Sequence, residues 1–191
     1  HRPHAGEIRL EGKPVKFGSN RDAIRAGIAY LSEDRLSLGL NQPQSIADNL
    51  IMASLDKLLV GGLISPSKKA TVVKNWIGSL GVKIGQPEDP IRTLSGGNQQ
   101  RVAIAKWLAI GPKILILDAP TVGVDVGARA GIFEIVRKLA AQGLSIILIS
   151  DEAPEVYFNS DRIVHMVEGR FHATYDPRAM SMTELETAIY A

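Results

Sequence analysis

The sequence predicts an α/β fold, a mainly parallel core sheet carrying a helical subdomain, on three observations. The apolar runs Ile114-Leu115-Ile116-Leu117 and Ile146-Ile147-Leu148-Ile149 are separated by a helical pattern, as parallel strands buried on both faces would be. From Ser45 to about Leu59 and from Ser67 to Leu80, apolar residues recur at helical spacing instead, most clearly Val72, Val73, Trp76, Ile77 and Leu80. The middle third therefore reads as all-helical. Finally, 191 residues that are 45% hydrophobic and 22% charged can build one compact core and are too mixed for disorder.

In chain order, Ile8, Leu10, Val15 and Phe17 flank a Gly12-Lys13-Pro14 turn, which predicts two short edge strands. Asn20 is placed to cap a helix over Arg21 to Ala26, Gly27 stops it, and Ile28 to Leu31 forms a strand ending in Ser32-Glu33-Asp34-Arg35. After the helical middle, the polar, proline-bearing Gln86 to Pro90 leads into Leu94-Ser95-Gly96-Gly97. Val102, Ala105, Leu108 and Ala109 then give the next helix one apolar face, and Gly111-Pro112 ends it. The last third alternates: strand Lys113 to Asp118, helix Gly127 to Gln142, strand Leu144 to Ser150, a short helix near Pro154 to Phe158, strand Arg162 to Val167, and a terminal helix from Ser181 to Tyr190.

Composition excludes several function classes. The 22 basic residues are scattered among 20 acidic ones for a net charge of +2, without the clustered stripe of a nucleic-acid footprint. With no cysteine, there is no disulfide framework or thiolate metal site. No apolar stretch reaches the length of a membrane span and His1 to Leu10 is not a signal peptide, so membrane association must come through a partner. His4, His165 and His172 lack partners at metal-ligand spacing; Trp76 and Trp107 read as packing residues, and Lys68-Lys69 as a solvated helix start.

The chemistry is carried by Leu94-Ser95-Gly96-Gly97-Asn98-Gln99-Gln100-Arg101 and by the apolar strand that ends in Asp118. Ser-Gly-Gly ahead of a helix offers a hydroxyl, unhindered amides and a positive helix end, which suit a nucleotide phosphate. An apolar strand ending in Asp presents a carboxylate to magnesium. Followed by Pro120-Thr121-Val122-Gly123-Val124-Asp125, they resemble the signature sequence, Walker B strand and D-loop of ATP-binding cassette (ABC) ATPases through nearly the whole chain.

That resemblance implies a P-loop NTPase-like core over residues 1–43 and 112–191, holding a Q-loop-like segment in the first part and Walker B, D-loop and switch region in the second. The helical subdomain with the signature takes 44–111. Two such domains meet head to tail, so Ser95, Gly96, Gly97, Asn98 and Gln99 would serve ATP held by a partner. Asp118 would orient Mg2+ indirectly, and Asp125 would cross the interface; a plain helix-capping role for Asp125 is the alternative.

The departures matter as much. Ala119 stands where the family places its catalytic glutamate, Asp151 where it places a histidine, and Glu33 where it places the Q-loop glutamine. A methyl group cannot accept a proton, and losing a positioned base costs about 10² to 10⁴ in rate. A carboxylate at the switch position repels a γ-phosphate. No catalytic residue is therefore assigned, and the site is read as degenerate.

A phosphate loop, G-x-x-x-x-G-K-[ST], is absent from these 191 residues; Gly12-Lys13-Pro14 lacks the hydroxyl residue. The resemblance implies a chain starting just after the phosphate-loop helix, one that alone binds ATP weakly or not at all and self-associates through exposed faces of the Ile114 and Ile146 strands. Gly27-Ile28-Ala29-Tyr30, Ser32-Glu33-Asp34-Arg35 and Gly123 to Ala128 narrow the match. They are similar to the second, impaired half of tandem proteins that energise bacterial importers of ribose, galactose or xylose. Implied partners are a competent first half in the same polypeptide and transmembrane permease subunits, on the inner face of the cell membrane and with no nucleic acid. The alternatives are a soluble ABC ATPase of translation or DNA repair, disfavoured by the short stretch between Glu33 and Leu94, and a non-hydrolytic regulatory module.

Overall fold

The computed structural model describes residues 5–190. Three parallel strands, β3 (Ile28–Leu31), β6 (Ile114–Asp118) and β7 (Ser145–Ile149), form a sheet in the order β3-β6-β7. Tyr30 pairs with Ile116, and Asp118 with Ile149. Two antiparallel hairpins flank it: β1 (Ile8–Leu10) with β2 (Lys13–Val15), and β8 (Ile163–Val167) with β9 (Arg170–Tyr175).

The centre is α5 (Gly96–Leu108). It touches β3, α2 (Ile46–Ile51), α4 (Pro66–Leu80) and α6 (Val126–Ala141), which is why it is buried nearly all round, polar Gln99, Gln100 and Lys106 included. Val102, Ala103, Ile104 and Ala105 are wholly buried, against Leu31 and Leu117 of the sheet, Ile46 and Leu50 of α2, and Ile132 of α6. Each such Leu or Ile contributes about 1.5–3 kcal/mol. The sequence predicts a single apolar face here; the helix is instead sandwiched between sheet and helical lobe. Lys106 is buried with it, donating its ammonium to Gly39 O, and burial lowers its pKa. Arg101 passes Gly131 of α6 to donate to Leu80 O (2.7 Å) and Gly81 O (3.0 Å), satisfying the last carbonyls of α4.

Several expectations are corrected. The first turn is Glu11-Gly12, both at positive φ (52° and 77°), with Lys13 and Pro14 inside β2. Ser19, not Asn20, caps α1 (Asn20–Arg25), because its hydroxyl accepts from Asp22 N while Asp22 returns the bond. The middle third is not all-helical: after α2, a short 3₁₀ turn and α3 (Leu55–Leu58), β4 (Leu59–Val60) and β5 (Leu63–Ile64) pair across Gly61-Gly62. Both glycines adopt positive φ, the turn chemistry of a tight hairpin. Strand β9 was not foreseen either. Lys69 is not merely solvated; it pairs with Asp48 at 2.6 Å. Strand β7 is only partly buried, and on one face: Ile146 and Leu148 pack against the core while Ile147 and Ile149 are about half exposed. The remaining elements, α7 (Ala153–Asn159) and α8 (Met182–Tyr190), fall where predicted. His4 lies outside the described residues.

Candidate functional site

Ser95 is exposed at the N-cap of α5 with extended backbone, and its hydroxyl does not cap its own helix. It accepts instead from Asn98 Nδ2 (3.1 Å), while Asn98 Oδ1 takes the Lys83 amide at 2.9 Å. The first helical bond is Gln99 N to Ser95 O, so among the described residues the amides of Gly96, Gly97 and Asn98 have no acceptor. Three free N–H groups, a free hydroxyl proton and the positive end of a 13-residue helix can take an anion. Gln99 differs from the sequence expectation. Its side chain is 7% exposed and donates to Leu94 O (3.0 Å), turned into the fold and away from any ligand.

The two signature glycines have a second, internal reason to be glycine. A Cβ on Gly96 would stand 2.7 Å from Gly123 O and 3.0 Å from Arg35 Nη2; one on Gly97 would stand 2.8 Å from the Ala128 methyl. The segment Thr121–Asp125 is thus packed directly against the N-terminus of α5. Arg35 completes the junction, donating to Val122 O and to Gly123 O (2.7 Å). It is 7% exposed, its Nε has no partner, and burial lowers its pKa.

Asp125 caps α6, its Oδ1 accepting from Ala128 N at 3.0 Å, while its side chain stays exposed. Asp118 ends β6, half-buried, and Tyr30 OH donates to its Oδ2 at 2.6 Å. That bond raises the Tyr30 pKa above the ordinary 10.0. The sequence did not flag Tyr30 as a partner of Asp118. The parallel register places the two strand ends side by side, a pairing that follows from topology alone. Ala119 holds φ of +43°, a left-handed strain fixed by its amide bonding to Ile149 O (2.9 Å) and by Val122 N closing back on Ala119 O (3.1 Å).

Also unforeseen is Glu155. Buried on α7, it accepts from Thr121 Oγ1 and from Ser150 Oγ (2.7 Å), with Arg129 beyond at 3.9 Å. It ties the end of β7 to the turn after β6. Asp151 and Glu33 are exposed and reach none of this network. Among the described residues no cluster of three His, Cys, Asp or Glu side chains is arranged for a metal ion. Asp118 alone fits Mg2+ as a single carboxylate, since that ion keeps most of its waters and takes the rest of its ligands from phosphates.

The arrangement has known counterparts. The ABC transporter family model matches residues 1–122. The ribose import ATP-binding protein RbsA of Geobacillus kaustophilus is 47% identical over 88% of this chain and 34% of its own length. RbsA 1 of Agrobacterium fabrum is 40% identical over 98% of this chain and 37% of its own. The chain therefore spans about a third of the length of these curated relatives. Among solved structures, the dimeric ATP-binding cassette MJ0796 bound to ADP and Pi superposes at a TM-score of 0.77 with 20% identity, over 93% of this chain and 76% of that one. The cbiO1 protein of Clostridium perfringens, part of an ABC transporter complex, gives 0.75 with 26% identity over 94% and 69%. A family match over most of the sequence and a cassette superposition over nearly all of it agree with the motifs: the chain belongs to the ABC transporter family.

Proposed function

We propose that this chain is an ATP-binding, energy-coupling part of a bacterial importer for a monosaccharide. It lends Ser95, the amides of Gly96, Gly97 and Asn98, and the Asp125 loop to a nucleotide gripped by another ABC half. One observation carries the reading: α5 presents an exposed serine and three unbonded amides, with the Asp125 loop packed beside them. The import role is supported by the names of the ribose-import relatives. The other half is a competent first half of the same polypeptide. Residues 44–80, where Met52 and Leu55 stay exposed, face the permease subunits on the inner side of the membrane. Among the described residues no helix is long and apolar enough to cross a membrane.

Asp118, its Oδ2 held by Tyr30, would hold Mg2+ through water, and the ion would supply neutralisation of phosphate charge. Ala119 provides no base and Asp151 no donor, so this chain's own side of the pair turns over poorly. Ser95→Arg, placed in the assembled transporter, puts a bulky cation where the anion must dock. Sugar uptake should fall to background with the assembly intact by size-exclusion chromatography; undiminished uptake overturns the reading.

A further inference from the structure

A buried arginine with no acid beside it asks what it is for. Among the described residues Arg35 is in no ion pair within 4.0 Å, although it is 7% exposed. Its fork is spent on two consecutive backbone carbonyls, Val122 and Gly123, 87 and 88 residues away. The same guanidinium would stand 3.0 Å from a Cβ on Gly96 and 3.1 Å from one on Gly123, so it fills the corner where three segments meet. Its own backbone is held in place: Arg35 N bonds Glu33 O (2.9 Å), and Asp34 caps the single π-helical turn Arg35–Gly39 by accepting from Ser37 N. A planar five-donor group suits this task; a lysine has one point charge and no fork.

We infer that Arg35 is the positioning residue that locks the Thr121–Asp125 loop onto the N-terminus of α5, making Ser95 and Asp125 one rigid face. Elsewhere, among the described residues, the loop is tied only toward its two ends, by Thr121 Oγ1 donating to buried Glu155 and by Arg129 Nε donating to Val124 O (3.4 Å). Its turn rests on Val122 N to Ala119 O (3.1 Å) and Val124 N to Thr121 O (3.0 Å), with Val122 and Gly123 themselves exposed. Two charge-assisted bonds from a buried donor outweigh those neutral ones. The consequence for a partner's nucleotide rests on the proposed function; the lock itself does not.

The test is hydrogen exchange on Arg35→Gln and Arg35→Lys in this chain, without nucleotide. The Val122 and Val124 amides should exchange on the order of 10-fold faster in Arg35→Gln, and Arg35→Lys should recover part of the protection, while Leu115 and Leu117 in β6 keep theirs. Unchanged loop exchange overturns the inference. So does acceleration spread evenly through β6, which marks a merely structural residue. Should Arg35→Gln fail to fold, the same comparison on Arg35→Lys alone decides between these outcomes. A loosened loop alongside undiminished uptake in Ser95→Arg would leave the lock standing and the import reading overturned.

Discussion

The two ends of the candidate site are built in opposite ways. At the N-terminus of α5, Gly96, Gly97, Gly123 and Arg35 are packed so closely that an added methyl has nowhere to go, while among the described residues the Ser95 hydroxyl is exposed and three amides are left without an acceptor. At the end of β6 the parts are loose: Asp118 is half-buried, Asp151 and Glu33 are exposed, and Ala119 holds a backbone conformation that suits glycine better. Tight packing thus guards the edge that would serve a partner's nucleotide. The edge that would perform this chain's own chemistry carries, on the proposed reading, a methyl and two exposed carboxylates in place of reactive groups, beside a strained backbone. Packing constraint and chemical competence have separated.

The sharpest way to break this contrast is to add one carbon at the tight end. Gly96→Ala forces a methyl against the Gly123 carbonyl, a backbone atom that cannot swing aside, and overpacking of this kind costs about 1–3 kcal/mol. Gly78 is the control: it lies in α4 with nothing within 4 Å of its Cβ, so Gly78→Ala should stabilise by about 0.5–1 kcal/mol. Opposite signs in urea denaturation are expected. A neutral Gly96→Ala would mean that the glycine serves the ligand alone.

The strands and helices that decide the fold were readable because their signals are local: apolar runs in β6, the spacing along α4 and α6, and the glycines at 27 and 111. Missed elements failed locally too. Strand β9 is an exposed edge strand whose partner is reached through Glu168-Gly169, a turn like Glu11-Gly12 in which a glutamate adopts positive φ, so no Asn-Gly or Asp-Gly dipeptide announced it. In the candidate site, the sequence singled out Ser95, Asp118 and Asp125 by type and order as expectations, and could not distinguish exposed Ser95 from inward Gln99 within one motif. Residues 87 and 88 positions apart meet here, as Arg35 meets Val122 and Tyr30 meets Asp118, and nothing in a single sequence reports such pairs.

A smaller effect is expected at the loose end. Ala119 at φ +43° carries a left-handed strain of roughly 1–2 kcal/mol, which Ala119→Gly removes at an entropic cost of about 0.5–1 kcal/mol. The variant should gain up to about 1.5 kcal/mol, read as a rise in urea midpoint with unchanged slope. A loss would show that the alanine methyl packs well enough to offset its own strain.

The smallest effect belongs to Tyr30, and pH exposes it. Its phenol is raised above the ordinary 10.0, first by the hydrogen bond it donates to Asp118 and then by burial. Because the folded value lies above the unfolded one, this contribution is fully present below about pH 10 and is lost as pH rises through the folded value. Deprotonation removes the donor and sets a phenolate against a carboxylate. Tyr30→Phe deletes both the stabilisation at neutral pH and its alkaline loss. The gap in urea midpoint between wild type and Tyr30→Phe should therefore favour wild type modestly at pH 8 and shrink toward pH 11, with other titrating groups cancelling between the two chains. A gap independent of pH would mean that Tyr30 acts through its ring and that Asp118 keeps both oxygens free for water and metal.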